Sequence, residues 1–200
     1  MRISKQQADS NRARIVDTAS RLFRERGFDG ASLADLMKAA GFTHGGFYNH
    51  FKSKDELATK ALKHAFAQMA GEWSRCSGLA DLFSKYLSAL HRKATGQGCP
   101  AAALAGDTSR QPEEVRSQFA VGLEGMIGAI EQDLPRTIPP GARRSLSIDL
   151  VSRMVGALAL SRTIPSDNPL AAEILESVRA SSDAAISSNS GSNPDCEWPT

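Results

Sequence analysis

Cysteine is scarce in this chain of 200 residues: Cys76, Cys99 and Cys196 are the only three, an odd count with no C-x-x-C spacing. That argues against a disulfide framework and a zinc finger and fits reduced thiols in the cytosol. Long apolar runs are missing too. The opening Met-Arg-Ile-Ser-Lys-Gln-Gln holds no signal-peptide core, and the longest later run, Met154 to Leu160, falls far short of the ~20 residues of a membrane span. The expectation is a soluble cytoplasmic protein with no membrane partner. GFTHGGF is rich in glycine but is no nucleotide loop, since it lacks both G-x-G-x-x-G and a terminal Gly-Lys-Ser/Thr, and no strand precedes it. His44 and His50, six apart, do not share a helical face as a metal pair would. No metal and no cofactor is expected, and no catalytic residue either.

What is present is helical. A hydrophobic content of 41% at this length can bury a core of one compact helical chain or two closely packed helical domains. The overall net charge is only +2, but residues 1–64 carry twelve Lys and Arg against seven acidic residues, and the remainder twelve against fifteen. Phosphate neutralisation supplies most sequence-independent affinity for nucleic acid, so the first domain is the one directed at DNA. Taken singly, Arg2, Lys5, Arg12 and Arg14 read as a solvated helix face; ahead of a DNA reader, a basic arm can also follow the backbone.

That reader is the stretch from Ser32 to Lys54. Ser32 stands three residues before Asp35, so it can cap a helix beginning at Leu33, with Leu33, Leu36 and Met37 on one face. Gly41 suits the left-handed position after that helix. Thr43 offers the next N-cap, and Phe47 and Phe51, four apart, mark an inner side. Thr43, His44, Gly45, Tyr48, Asn49 and His50 are left wholly or partly outward, a polar face with little bulk near its start that suits the major groove. His44 and Asn49 are the best placed for base edges, with Thr43 as cap first and polar contact second. Ser53 caps a third helix with Glu56 at its N3 position, and Lys54 in the first turn can clamp phosphate.

From Arg12 to Lys63 the chain resembles the N-terminal domain of TetR-family transcriptional regulators. The likeness lies in Ile15-x-x-x-Ala19-x-x-Leu22-Phe23, Gly27-Phe28, Ala40-Gly41-Phe42-Thr43 and Tyr48-Asn49-His50-Phe51-x-Ser53-Lys54. The resemblance implies an all-α protein of about nine helices: a helix-turn-helix domain over 1–52, a helical ligand-binding and dimerisation domain over 53–182, and a flexible tail over 183–200. It also implies a ligand-responsive regulator, usually a repressor, which binds double-stranded operator DNA as a homodimer and leaves it when a small-molecule inducer enters the second domain. Tyr48 and His50 match positions that touch phosphate in the family, and Ser32 joins the DNA-contact set.

The remaining periodicity fits this plan. Residues 1 to about 8 read as an arm, and Asp9–Arg26 as a support helix ended by Gly27. The Ser53 helix runs to about Cys76, and Leu79–Ala94 follows as one amphipathic helix with Leu82, Phe83, Tyr86, Leu87 and Leu90 inward. Cys99 takes an N-cap before Pro100, where the helix end favours thiolate. The Gly-Cys-Pro segment looks like that of a subset of TetR-type regulators, some of which respond to electrophiles. A helix from Gln111 to about Leu134 follows. Then come Ala142–Thr163, with Ile148, Val151, Val155 and Leu158 on one stripe, and Leu170 to about Ser181, with Leu170, Ile174, Leu175 and Val178 inward. The resemblance gives these last two helices the dimer interface. Phe66, Met69, Trp73, Phe83, Leu87, Cys99, Phe119, Leu123 and Met126 are candidate ligand contacts for a hydrophobic or electrophilic inducer, and plain core is the competing reading. Two other classes stand beside the regulator: a thiol enzyme or redox sensor using Cys99, for which His91 is the closest base in sequence, and a dimeric scaffold that binds no DNA.

Overall fold

The computed structural model describes residues 4–189, with side chains to Ile186. Among these residues the chain is all helical, without a strand: α1 Lys5–Gly30, α2 Leu33–Ala39, a 3₁₀ helix His44–Asn49, α3 Lys54–Trp73, α4 Leu79–Tyr86, α5 Ala89–Lys93, α6 Pro100–Thr108, α7 Glu113–Asp133, α8 Pro140–Thr163 and α9 Leu170–Asn189. No described helix is long and apolar enough to cross a membrane. Two compact units result, one from residues up to Arg75 with Leu90–Gly125, the other from Cys76–Ala89 with the chain from Met126 onward.

The first unit is built around α1, on which α3, α6 and α2 pack. Ile15, Ala19, Leu22 and Phe23 repeat at helical spacing and are all buried, which is the stripe the sequence displays. The helix starts earlier than expected, because the Ser4 hydroxyl accepts the Gln7 N–H at 3.2 Å and caps it. Residues 5–8 are therefore its first turn rather than an arm; residues 1–3 lie outside the described part. At Gly27 the backbone turns left-handed (φ 76°, ψ 170°) and one more turn follows, carrying Phe28 into contact with Phe23 at a centroid distance of 5.2 Å. That conformation favours glycine, and a Cβ there would also displace the Asp107 carboxylate of α6.

A buried cation ties α1 to the chain just before α6. The Arg24 guanidinium reaches the Gly98 carbonyl at 2.8 Å, the Ser20 carbonyl at 3.1 Å and the Ser20 hydroxyl at 3.2 Å. Burial lowers its pKa, and the Cys99 thiol and the carboxylates of Glu72, Asp17 and Glu25 pull in the opposite direction.

In the second unit α9 packs on α8 and α4 on α9. Leu150, Val151, Met154, Ala157 and Leu158 fill the inner face of α8. Ser147 and Ser161 are buried beside them, their hydroxyls donating to the Arg143 and Leu158 carbonyls.

Four expectations change. The helix expected over Leu79–Ala94 breaks at Leu87 (φ −91°, ψ 47°) into α4 and α5, where the Ser88 hydroxyl takes the Lys85 carbonyl at 2.7 Å, a local bond that competes with helix continuation. Beyond the break Leu90 is 79% exposed instead of inward. Ile148 and Leu170, expected inward, are 44% and 45% exposed, because the buried stripes run through Leu150, Val151 and Met154 on α8 and through Ala171 and Leu175 on α9. Finally, α9 continues to Asn189, with Ser182 buried and its hydroxyl on the Val178 carbonyl, so residues 183–189 are helix rather than tail. The rest of the expected tail lies outside the described residues.

Candidate nucleic-acid interface

α2 is closed at both ends by its own neighbours. The Ser32 hydroxyl accepts the Asp35 N–H at 3.1 Å and donates to the Asp35 carboxylate at 2.6 Å. The expected capping pair is present, with the carboxylate answering the hydroxyl rather than a backbone amide. At the other end Gly41 takes φ 79°, the Gly41 N–H bonds the Lys38 carbonyl at 3.0 Å and the Phe42 N–H the Met37 carbonyl at 2.8 Å. That is a Schellman closure, which an L side chain at 41 would strain.

The segment after the turn is a 3₁₀ helix, His44–Asn49, not the α-helix that the spacing suggests. Thr43 occupies the N-cap position, but its side chain makes no capping bond, which corrects its expected first role. Gly45 and Gly46 fill the first turn, and glycine is poor at holding an α-helical turn, so the tighter and shorter form results. Its inner side is as expected: Phe47 and Phe51 are 0% and 2% exposed and stack at 5.6 Å between centroids. Thr43, His44, Gly45, Tyr48 and Asn49 are exposed, Tyr48 by 68%. His50 is half-buried, its ring beside Phe42 at 6.1 Å and Phe51 at 6.4 Å. A Cβ at Gly45 would meet nothing within 4 Å and its φ is not positive, so nothing in the chain itself demands glycine there.

Ser53 caps α3 as expected, accepting the Glu56 N–H at 3.1 Å, and Lys54 sits half-buried in the first turn. The Glu56 carboxylate reaches past the cap to the Lys52 N–H at 2.8 Å and to Arg12 at 2.7 Å. The Lys52 bond is the main reason its pKa is lowered, with Arg12 next among the favourable causes and burial opposing them. Arg12 also donates to the His50 carbonyl and lies over the Phe51 ring, its guanidinium carbon 4.4 Å from the centroid. Arg14 lies over Phe42 at the same 4.4 Å. Each guanidinium lies against an aromatic ring, with Arg12 half-buried and Arg14 still exposed, as a solvated face would have it. These partners are 28 to 44 residues away, beyond the reach of any local pattern.

A profile of the tetR family of bacterial regulatory proteins matches residues 15–61, and one for the C-terminal domain of LmrA/YxaF-like transcriptional regulators matches residues 76–173. The chain belongs to the TetR family. As a TetR-family regulator it carries its helix-turn-helix at the N-terminal end and is a DNA-binding transcriptional regulator. The transcriptional repressor DhaR of Mycobacterium sp. strain GP1 is 26% identical over 147 residues, spanning 70% of this chain and 74% of DhaR. The transcriptional regulator LmrA of Bacillus subtilis strain 168 is 26% identical over 170 residues, 80% and 90% of the two chains. The repressor NemR of Escherichia coli strain K12 is 25% identical over 141 residues, 66% and 71% of the two chains. The crystal structure of E. coli NemR in its reduced form has the same fold, with a TM-score of 0.72 at 23% identity over 88% of this chain and 96% of that one.

The candidate ligand contacts of this TetR-family chain fall in both units. In the first, Phe66, Met69, Cys99 and Phe119 are buried and Trp73 and Leu123 half-buried; Phe66 and Phe119 meet edge to face at 5.6 Å, and a Cβ on Gly122 would collide with the Phe66 ring. In the second, Phe83, Leu87 and Met126 are buried. Cys99 stands at the N-cap of α6, 0% exposed, its N–H donated to His91 Nε2 at 2.9 Å.

Proposed function

We propose that the chain is a cytoplasmic repressor that binds operator DNA as a homodimer and is released when a small apolar molecule enters the helical domain over 53–182. The observation that carries the DNA-reading half is the pairing of two buried phenylalanines, Phe47 and Phe51, beneath an exposed polar surface of Thr43, His44, Gly45, Tyr48 and Asn49. A surface this short, on a rigid base and in the net-basic part of the chain, suits a major groove. In the roles we assign, His44 and Asn49 read base edges, Thr43, Tyr48, His50 and Lys54 hold phosphate or sugar, Gly45 admits the duplex, and Ser32 reaches the backbone from the start of α2. Repression is supported by the names of DhaR and NemR. Exposed Ile148, Leu160 and Leu170 on α8 and α9 support a dimer through these helices. Its two readers would lie about 34–36 Å apart on DNA.

The apolar character of Phe66, Met69 and Phe119, all buried in the first unit, supports a hydrophobic inducer. We rank an electrophile acting on Cys99 below it. The thiol is fully buried, and reactive thiols need access.

The test is fluorescence anisotropy on a duplex from the gene's own upstream region against a scrambled duplex, over a range of salt. Asn49→Ala is expected to lose about 1–3 kcal/mol of discrimination between the two. Lys54→Ala is expected to weaken both alike and reduce the salt slope by about one. Equal loss on both duplexes from Asn49→Ala would reject base reading by that residue, and salt-insensitive or absent binding of the unaltered chain would reject the function.

A further inference from the structure

The recognition segment has almost nothing local to hold it. Its N-cap residue makes no side-chain bond, two of its first three residues are glycines, and it runs for only six residues. Short 3₁₀ helices have poor hydrogen-bond geometry, and isolated short helices are marginal in water. Yet this is the element whose orientation must be correct within a fraction of an ångström to read base edges.

Two side chains of α1 supply the missing constraint. On the exit side, Arg12 donates one Nη to the His50 carbonyl and the other to Glu56 Oε1 at 2.7 Å, and the second Glu56 oxygen accepts the Lys52 N–H at 2.8 Å. A single Arg–Glu pair thus ties both a carbonyl and an amide of the connector between the recognition segment and α3. The same guanidinium covers Phe51, one of the two rings on which the segment rests. On the entry side Arg14 covers Phe42, in the connector from α2. The pair is partly screened, with side-chain exposures of 35% for Arg12 and 25% for Glu56, and its bonds go to backbone groups on either side of the connector.

We propose that Arg12, with Glu56 as its partner and Arg14 at the opposite flank, is a positioning residue for sequence recognition: it sets the orientation of residues 43–50 through their two connectors without itself contacting a base. This rests on the DNA-binding reading above. The role needs arginine, because only a planar fork can bond two acceptors while stacking flat on a ring, whereas a lysine would serve a phosphate nearly as well.

Arg12→Lys is therefore the discriminating substitution, with Glu56→Gln as the second variant and circular dichroism as the check that both fold. Two readouts are made on the full chain. In the DNA-free protein, amide hydrogen exchange is expected to quicken across residues 43–52 in Arg12→Lys and to stay unchanged across α2. On DNA, affinity for the upstream duplex is expected to fall about tenfold, the scale of a network coupling, with scrambled-duplex affinity within about twofold and the salt slope unaltered. Equal loss on both duplexes with a shallower salt slope would make Arg12 a phosphate contact and overturn the proposal. Unchanged exchange over 43–52 would overturn it whatever happens on DNA, as would a lower melting temperature with no change in the ratio of the two affinities. If the unaltered chain shows no specific binding while exchange responds as expected, the DNA-binding reading has failed and the brace itself stands.

Discussion

α2 and the recognition segment are neighbours of nearly equal length, seven residues and six, yet they are held by different means. α2 is closed by Ser32, Asp35 and Gly41, all within or beside it, so its boundaries can be read from a few adjacent letters. The recognition segment is held from beneath by Phe47 and Phe51 and from the side by Arg12 and Arg14, distant in sequence. The first has structure of its own; the second borrows it. A surface that must stay polar, thin and open to a partner has little room for caps and apolar mass of its own, which is a physical reason for the borrowing.

The comparison can be broken hardest at Phe47. Phe47→Ala removes a fully buried ring and is expected to cost about 3–5 kcal/mol in urea denaturation; a loss below about 1 kcal/mol would mean the segment does not rest on that ring. Gly41→Ala comes next. It forces a side chain into a left-handed conformation at the Schellman closure and should cost about 1 kcal/mol, loosening α2 while leaving the preference among DNA sequences intact.

Gly45→Ala sharpens the contrast from the other side. Open space around that Cβ position and the higher helical propensity of alanine predict a stability gain of up to about 1 kcal/mol, together with weaker DNA binding from the added bulk. Unchanged DNA affinity would show that the duplex does not approach Gly45.

The smallest expected effect is with pH. The Glu56 carboxyl has its pKa lowered in the folded chain, chiefly by the Lys52 amide and then by Arg12, so its contribution is fully present above the ordinary glutamate value and is lost as pH falls through the lower, folded value. Acid should therefore lower amide protection over 43–52, taken relative to the intrinsic exchange rate at each pH, before it lowers that of α2, and Glu56→Gln should flatten that dependence near the acid limb.

Legibility in the sequence follows the same division. Ser32, Gly41 and Ser53 each announce a boundary by a local bond, and the stripe Ile15, Ala19, Leu22, Phe23 announces α1 by period alone. Phe47 and Phe51 gave the inner side, and with it the exposed set Thr43, His44, Gly45, Tyr48 and Asn49. The 3₁₀ form was not legible, because Thr43 looks like a cap and the two glycines signal only weakness. Arg12 and Arg14 were not legible either, since a basic residue near a chain start reads as solvated until the ring it covers is known. The break at Leu87 was hidden by an apolar stripe that continues through Leu90, and only the Ser88 hydroxyl hints at it. For Ile148 and Leu170, periodicity identifies an apolar stripe but not which of its residues the chain buries.

Dimethyl sulfate interference on the upstream duplex tests the central claim most directly, because methylation at guanine N7 places its group in the major groove, where residues 43–50 are assigned. Binding is expected to be blocked by methylation at guanines in two clusters about 10 base pairs apart, or a multiple of that spacing, one for each copy of the segment. Sequence-specific binding that tolerates N7 methylation throughout would contradict the assignment of that surface to the groove.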